Sequence, residues 1–331
     1  MRILLVSDLD HFATRNVFED YLIAFKKAGV DVHPFRMWEI TKTLSMKVMY
    51  SLLFSDIMIK SNGITHVLFV TGTNVPKDIV DSLRDDIKVG VIGTDDPHSS
   101  KYVMDVFNNK LDYYFTNEKK MDRYDERFHY VPIGTSSRIP TEISDKHLSD
   151  LCFIGSVYPN RIPMLERAVH WALKNGKKPL VLGPLNAVPE GSIIRSIGID
   201  TIVNNIQAMQ YMAGARVSIN MDRDVHWNPQ AAEGNHMLLD VGEPLSCNPR
   251  TYEIPLNRSI QLYINHRKEA VDIFGDSIFT ADESNLEEVL QTIFDSTSHH
   301  LEELKNRAYN IALNHTYDKR VTKILEVITK G

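Results

Sequence analysis

Arg250 and Glu253 stand three residues apart in the stretch NPRTYEIPLNRSIQLYI. If that stretch opens a helix, the two side chains share one face near its N-terminus. A glutamate there can accept hydrogen bonds from neighbouring hydroxyls, such as a ribose diol. An arginine can grip a phosphate through two parallel N–H donors. The same spacing also makes an ordinary exposed ion pair, which contributes little. A second group lies in FIGSVYPNRIPML. A strand, the pair Gly155-Ser156, and a helix opening near Asn160-Arg161 form an arrangement that presents backbone N–H groups to a phosphate, with Arg161 adding charge. The segment has neither the G-x-G-x-x-G spacing of dinucleotide sites nor a P-loop. A plain strand-turn-helix connection with a solvated Arg161 fits it equally.

The third group is VIGTDDPHSS. Asp95, Asp96 and His98 follow a strand, and open α/β sheets bind ligands outside the carboxyl ends of their strands. Asp96 and His98 are therefore candidate acid/base residues. The alternative is a capping loop, with Asp96 or Ser99 capping the next helix. Asp8 and Asp10, after the first strand, are the fallback for a base. His226, Glu233, His236, Asp240 and Glu243 fit no standard zinc spacing, and H-E-x-x-H is absent, so no metal site is assigned. The G-x-S-x-G elbow of α/β-hydrolases is missing too.

These groups need elements to hold them. Arg2 to Val6 is a short apolar run of the kind found in buried parallel strands. Phe18, Tyr21, Leu22, Phe25 and Ala28 then share a helical face, and Gly29 stops it. Val30 to Phe35 returns as a strand. Further strands are expected at His66–Gly72, Lys88–Gly93, Tyr113–Thr116 and His129–Pro132. Helices are expected at Pro76–Leu83, Ser99–Phe107 and Lys119–Arg127. This is a doubly wound α/β unit. A second begins at Leu151–Gly155 and runs through a helix at Asn160–Lys174, a strand at Pro179–Gly183, a helix at Ile206–Ala213 and a strand at Val217–Asn220. A polar excursion, about Asp222 to Cys247, interrupts it. A helix from Arg250 and a strand at Ser259–Ile264 follow, and the remainder reads as mostly helical. The expected domains are 1–138 and 150–314, joined by a linker at 139–149, with a closing segment at 315–331.

Composition narrows the classes. The 331 residues are 43 % hydrophobic and 24 % charged, which is ordinary for a globular protein and rules out disorder as the main state. The formal net charge of −6 argues against a strongly basic, sequence-blind nucleic-acid binder. Two cysteines, Cys152 and Cys247, cannot build a disulfide scaffold and suit a reducing compartment. No apolar run approaches the ~20 residues needed to span a bilayer. A cytoplasmic location is expected.

The segments DYYFTNEKK, YVPIGTS, LCFIGSVYPNR, VSINM, NPRTYEIPLNRSIQLY, FGDSIFTADESNLEEVL and NHTYDKRVTKIL follow one another in an order that resembles the CgeB-like (spore maturation) proteins. These are a branch of the group 1 glycosyltransferases with the GT-B fold. The resemblance implies an α/β protein of two Rossmann-like domains facing a cleft. Its C-terminal helix would cross back to the first domain. The first domain would take the acceptor and the second a nucleotide-sugar donor, a UDP-sugar, as co-substrate, with no separate cofactor and no metal. By matching position, Gly155, Ser156 and Arg161 would contact the donor diphosphate. Asn248, Arg250 and Glu253 fall on the family's N-x-R-x-x-E stretch, with Glu253 on the ribose, and Asn220 matches the asparagine that ends the preceding strand. The acceptor is open among a glycan, a protein and a modified nucleobase in DNA. A nucleotide-sugar epimerase and a non-catalytic nucleotide-sugar binder are the rival readings. Leu245 stands eight residues before Glu253, where many retaining relatives carry a second glutamate, so the stereochemical course stays open. The chain also has Leu256-Asn257-Arg258 where the family usually has a glycine-containing turn.

Overall fold

The computed structural model describes residues 1–7, 12–40, 45, 48, 59, 62–73, 75–122, 124–138, 142–223 and 241–330. Asp8, Asp10, His226, Glu233, His236, Asp240 and residues 139–141 lie outside them. The described residues form two compact units. The first takes residues from Met1 to Ile133, from Val241 to Leu245 and from Tyr317 onward. The second takes those from Gly134 to Arg223 and from Ser246 to Thr316.

The first unit is built on six parallel strands: β1 (Arg2–Val6), β2 (Asp31–Phe35), β3 (His66–Val70), β4 (Lys88–Ile92), β5 (Tyr113–Thr116) and β6 (Phe128–Tyr130). Their spatial order is β2-β1-β3-β4-β5-β6. Both faces are covered, so β1 over Ile3–Val6 and β3 over Val67–Val70 are apolar on consecutive residues rather than on alternate ones. Leu4, Val6, Val67 and Phe69 enter one core; Ile3, Leu5, Leu68 and Val70 enter the other. Helix α1 (Phe12–Lys27) buries Phe18, Tyr21, Leu22 and Phe25 on the second face. Ala28 of the expected stripe is exposed, and Ala24 is buried with the others. The closing helix, Tyr317–Ile328, lies against α1: the Tyr21 and Tyr317 rings meet at 4.8 Å, and Val321 and Ile324 are fully buried. The short helices α2 (Met37–Ile40), α3 (Lys77–Asp81) and α4 (Ser100–Phe107) complete the unit. The expected helix at Lys119–Arg127 is a single 3-10 turn, Lys119–Met121, opened by Glu118, whose carboxylate accepts the Lys120 N–H.

The second unit has five parallel strands: β7 (Ser149–Ile154), β8 (Pro179–Leu182), β9 (Ala215–Met221), β10 (Ile260–Ile264) and β11 (Phe279–Ala281). Their order is β11-β10-β9-β7-β8. Leu151 and Phe153 of β7 face one core, and Cys152 and Ile154 face the other. Between them lie α5 (Ile162–Lys174), α6 (Ile193–Ile197), α7 (Asn205–Ala213), α8 (Arg250–Leu256), α9 (Lys268–Phe274), α10 (Leu286–Asp295) and α11 (Ser298–Ala312). Strand β11 is missing from the sequence reading, which ran the end of the unit as helix; three residues on a sheet edge carry too little pattern to announce themselves.

The strand order decides where a ligand goes. From β7 the chain moves outward to β8, then returns across β7 to β9. The ends of β7 and β9 therefore flank a topological switch point, the usual crevice for a ligand in such sheets. Gly155 follows β7 and Asp222 follows β9.

Candidate active site

Arg161 spans that switch point. It closes a 3-10 turn, Pro159–Arg161, ahead of α5. Its Nη1 donates to the Ser156 carbonyl at 2.8 Å, its Nη2 to the Met221 carbonyl at 2.6 Å and its Nε to the Asp222 carbonyl at 3.3 Å. The guanidinium also sits over the Tyr158 ring, 4.9 Å from its centre. Burial pulls its pKa down to about 10, which leaves it charged at neutral pH. The solvated alternative for Arg161 is thus excluded. Three N–H groups of the five are spent on backbone carbonyls, and the other two have no acceptor among the described residues.

The Gly155-Ser156 turn offers less than its sequence suggests. The Gly155, Val157 and Tyr158 amides donate to Leu182, Pro184 and Ser156 carbonyls. Only the Ser156 N–H of those four amides has no acceptor among the described residues. Gly155 has φ +152, and a Cβ on the neighbouring Gly183 would lie 2.1 Å from the Gly155 carbonyl oxygen. Glycine at 183 is what lets the ends of β7 and β8 close up behind the turn.

Arg250 reaches the turn from the other side. Its Nε donates to the Ile154 carbonyl at 3.3 Å, one residue before Gly155, and its Nη1 pairs with the Glu253 carboxylate. This is not the exposed helical pair of the alternative reading: the Glu253 side chain is 6 % exposed and that of Arg250 is 27 %. The pair holds Glu253 Oε2, and Glu253 Oε1 takes no hydrogen bond among the described residues. Helix α8 carries both residues although Pro255 lies inside it. Proline cannot donate to the carbonyl four residues back, that of Thr251. Gln261, buried in β10, makes up the loss: the amide orientation that satisfies both of its ends places its nitrogen 3.3 Å from the Thr251 carbonyl and 3.2 Å from that of Arg250. After α8, Arg258 has φ +56, the left-handed region that favours glycine. An arginine here holds a backbone conformation that glycine adopts at lower cost.

Asn220 and Asn248 meet beside α8. Asn248 Nδ2 lies 2.9 Å from Asn220 Oδ1, and Asn220 Nδ2 donates to Thr251 Oγ1 at 3.0 Å. Asp222, Tyr263 and Arg267 join them, and the sequence reading passed over all three. The Tyr263 hydroxyl donates to the Asp222 carboxylate, and Arg267 Nε stands 3.5 Å from it. Burial raises the Asp222 pKa against the opposing pull of Arg267, Tyr263 and Asn248. Cys152 and Cys247 are both buried thiols that burial keeps protonated, up to about 12 for Cys152.

In the first unit, Asp96 follows β4 and is only 7 % exposed. Its Oδ1 accepts the Tyr114 hydroxyl at 2.6 Å; its Oδ2 accepts the Thr116 hydroxyl at 2.9 Å and the Asn117 N–H at 3.3 Å. A Cβ at Gly93 would sit 2.1 Å from Asp96 Oδ2, so glycine there admits the carboxylate. The capping alternative fails: the carboxylate turns to β5, and the Ser99 side chain makes no capping bond to α4. With both oxygens engaged, Asp96 locks the turn that carries the buried His98. Nearby, Thr71 follows β3 with φ +75, a costly conformation for a β-branched residue, its hydroxyl 2.8 Å from that of Thr94. The described end of the excursion is tied to this unit. Glu118 accepts the Leu245 N–H, and Lys120 Nζ donates to the Val241 and Glu243 carbonyls. Among the described residues, no group of three or more His, Cys, Asp or Glu side chains could hold a metal ion.

Burial raises the Asp96 pKa to about 6, against the lowering effect of its three donors. The folded protein therefore binds this proton more tightly than the unfolded chain, whose aspartates titrate near pH ~3.9. The stabilising effect is complete below about pH 4 and is lost as pH rises through about 6. An Asp96→Asn variant has no such proton. Urea unfolding of both proteins between pH 4 and 7 should show wild type losing about 2–3 kcal/mol relative to the variant. A constant difference across that range would mean that Asp96 titrates in the folded state as it does in the unfolded chain.

No protein-family model matches the chain. Over 214 residues, 59 % of the chain, it is 28 % identical to the spore protein CgeB of Bacillus subtilis (strain 168), and the match spans 62 % of that protein's length. Among solved structures it is similar to an α-glucosyltransferase in complex with UDP-glucose and DNA containing an abasic site, with a TM-score of 0.62 at 13 % identity and 99 % of each chain covered. It is also similar to the sucrose-phosphate synthase (tll1590) of Thermosynechococcus elongatus, with a TM-score of 0.65 at 8 % identity and 100 % and 99 % of the two chains covered. No helix of the described residues is long and apolar enough to cross a membrane. Two parallel sheets in this order, matched end to end by such structures, give the chain the GT-B fold of glycosyltransferases and, over three-fifths of its length, a sequence similar to CgeB.

Proposed function

We propose that the chain is a glycosyltransferase that moves a sugar from a UDP-sugar to an acceptor hydroxyl without a metal ion. The observation that carries this is the pair of arginines on one turn. Arg161 holds the Ser156 carbonyl and Arg250 the Ile154 carbonyl, so both guanidinium groups flank Gly155-Ser156 at the switch point of the second unit. Transfer breaks the anomeric C–O bond, and the electron pair leaves with the diphosphate. The negative charge that grows there meets the two remaining Arg161 N–H groups, the Arg250 Nη2 and the Ser156 N–H, all fixed in advance. Glu253 Oε1 accepts from the ribose hydroxyls. Gly155 and Gly183 keep side chains away from the turn. Asn220 and Asn248 line the same end of the sheet. In the first unit His98 takes the proton of the acceptor hydroxyl, with Asp96 positioning its turn. The chain acts in the cytoplasm, where nucleotide-sugars are available to it. The acceptor class stays open among glycan, protein and modified nucleobase. The similar α-glucosyltransferase holds DNA, which puts modified DNA among the acceptors to be tried.

The test is a thermal-shift screen of UDP-sugars in the presence of EDTA, followed by mass analysis of products with and without candidate acceptors. A UDP-sugar should raise the melting temperature and be consumed only when acceptor is added. Conversion of the sugar without any acceptor would identify an epimerase. Binding with no turnover under any condition would identify a sensor. No shift with any UDP-sugar would overturn the donor site itself.

A further inference from the structure

An ionised carboxylate can only accept hydrogen bonds, so it dictates the orientation of an amide beside it. Asp222 Oδ1 lies 2.9 Å from the Asn248 side-chain nitrogen. Asn220 Oδ1, also an acceptor, lies 2.9 Å from the same nitrogen. The NH2 of Asn248 therefore has to face these two oxygens, and its Oδ1 has to point the other way. That Oδ1 is buried and has no hydrogen-bond partner among the described residues. Asp222 is itself held from behind. Its Oδ2 accepts the Tyr263 hydroxyl and faces Arg267, and its backbone carbonyl accepts Asn160 Nδ2 at 3.2 Å and Arg161 Nε at 3.3 Å. A buried acceptor left unpaired destabilises a fold, so one held in that state by Asn220 and by an Asp222 itself fixed by four neighbours calls for an explanation.

We propose that Asp222 is a positioning residue that turns Asn248 into a fixed hydrogen-bond acceptor for a hydroxyl of the transferred sugar. The inference rests on the reading of the second unit as the donor site. Phosphate oxygens are acceptors and would meet Asn248 Oδ1 oxygen to oxygen, so the diphosphate is excluded as its partner. The ribose hydroxyls have Glu253 Oε1 for an acceptor. The donor groups left on a UDP-sugar are the uracil N3–H and the hydroxyls of the sugar. The uracil is joined to the far side of the ribose that Glu253 takes, whereas the sugar is joined directly to the diphosphate that Arg161 takes, and Asn248 rests on the residue whose carbonyl Arg161 holds. Asn248 thus reads the sugar, while the arginines read the diphosphate. Asp222 sits at the junction of the two because Arg161 rests on its carbonyl and Asn248 on its carboxylate.

The measurement is calorimetric affinity, in EDTA, for UDP and for whichever UDP-sugar wild type binds in the screen. Asp222→Asn replaces one acceptor oxygen with a donor and frees the Asn248 amide to turn over. Affinity for the UDP-sugar should fall about tenfold, the scale of one hydrogen bond to a buried group. Affinity for UDP, which has no sugar to read, should stay within about twofold. Adding Asn248→Asp to Asp222→Asn reverses donor and acceptor across the contact and keeps an oxygen toward the sugar; it should recover most of the UDP-sugar affinity. If Asp222→Asn does not fold, Tyr263→Phe withdraws one support from the carboxylate and should show the same split at smaller size. Equal losses for UDP and UDP-sugar would make Asp222 a structural pillar and overturn the inference. So would unchanged affinity for both. If wild type binds neither ligand, the donor-site reading fails first and takes this inference with it.

Discussion

Replacing Arg250 with alanine should abolish measurable UDP binding and lower the unfolding free energy by about 3–5 kcal/mol, the usual cost of removing one partner from a buried ion pair. The size follows from the asymmetry of the pair. Glu253 is 6 % exposed and Arg250 is 27 % exposed, so alanine would leave a carboxylate inside the fold without its cation. The Ile154 carbonyl would lose a donor at the same time. Stability and binding can be separated. Arg250→Met combined with Glu253→Leu removes both charges and fills the space with apolar groups, which is often neutral for folding. That double variant should recover most of the lost stability in urea unfolding and still fail to bind UDP in calorimetry. If Arg250→Ala binds UDP as wild type does, Arg250 serves only to neutralise Glu253, and the diphosphate contact has to be reassigned.

The outcome at Arg250 and Glu253 also shows where sequence reasoning reaches its limit. Three-residue spacing on a helix is a local property, and it correctly put the two side chains together. Burial is not local: α8 lies against α11, β10, α7 and β9, elements that only the fold brings to it. Strands such as Arg2–Val6 and Ser149–Ile154 were legible because interior parallel strands are apolar on both faces. The Asp222 cluster was not. Asp222, Asn248, Tyr263 and Arg267 are spread over more than forty positions, and only the adjacency of β9 and β10 collects them. Asp222 looked like the first polar residue of a loop, although it follows Asn220 by two, the spacing that keeps side chains on one face of an extended chain. Similarly, DDPHSS was expected after a strand and does follow β4, but nothing in it told a carboxylate open to a substrate from one closed by Tyr114, Thr116 and Asn117.

That last distinction separates the effects expected of Asp96 and His98 under the proposed function. His98→Ala should slow transfer by roughly 10²–10⁴-fold, the usual worth of a positioned general base, and leave UDP-sugar affinity within about twofold of wild type. The reason for the split is chemical. Under the proposed function, donor affinity would be set by contacts to the diphosphate and ribose in the second unit, whereas loss of the acceptor proton would become costly only in the transition state. Asp96→Asn should behave differently from His98→Ala. The asparagine carbonyl can still accept from one hydroxyl, and its NH2 can donate to the other, because the Tyr114 and Thr116 hydroxyls both accept as well as donate. The turn then keeps its shape, and transfer should fall by less than about tenfold. Asp96→Ala would strip both hydroxyls of their partner, and its loss of rate should come together with loss of stability. Each variant is loaded with UDP-sugar and mixed with the acceptor identified by product mass, and single-turnover release of UDP is followed beside donor affinity. If His98→Ala transfers at the wild-type rate, the base lies elsewhere, and Asp8 and Asp10 after β1 are the next residues to replace. If Asp96→Asn falls as far as His98→Ala, the Asp96 carboxylate itself carries the proton, and its hydrogen bonds to β5 must then open during turnover.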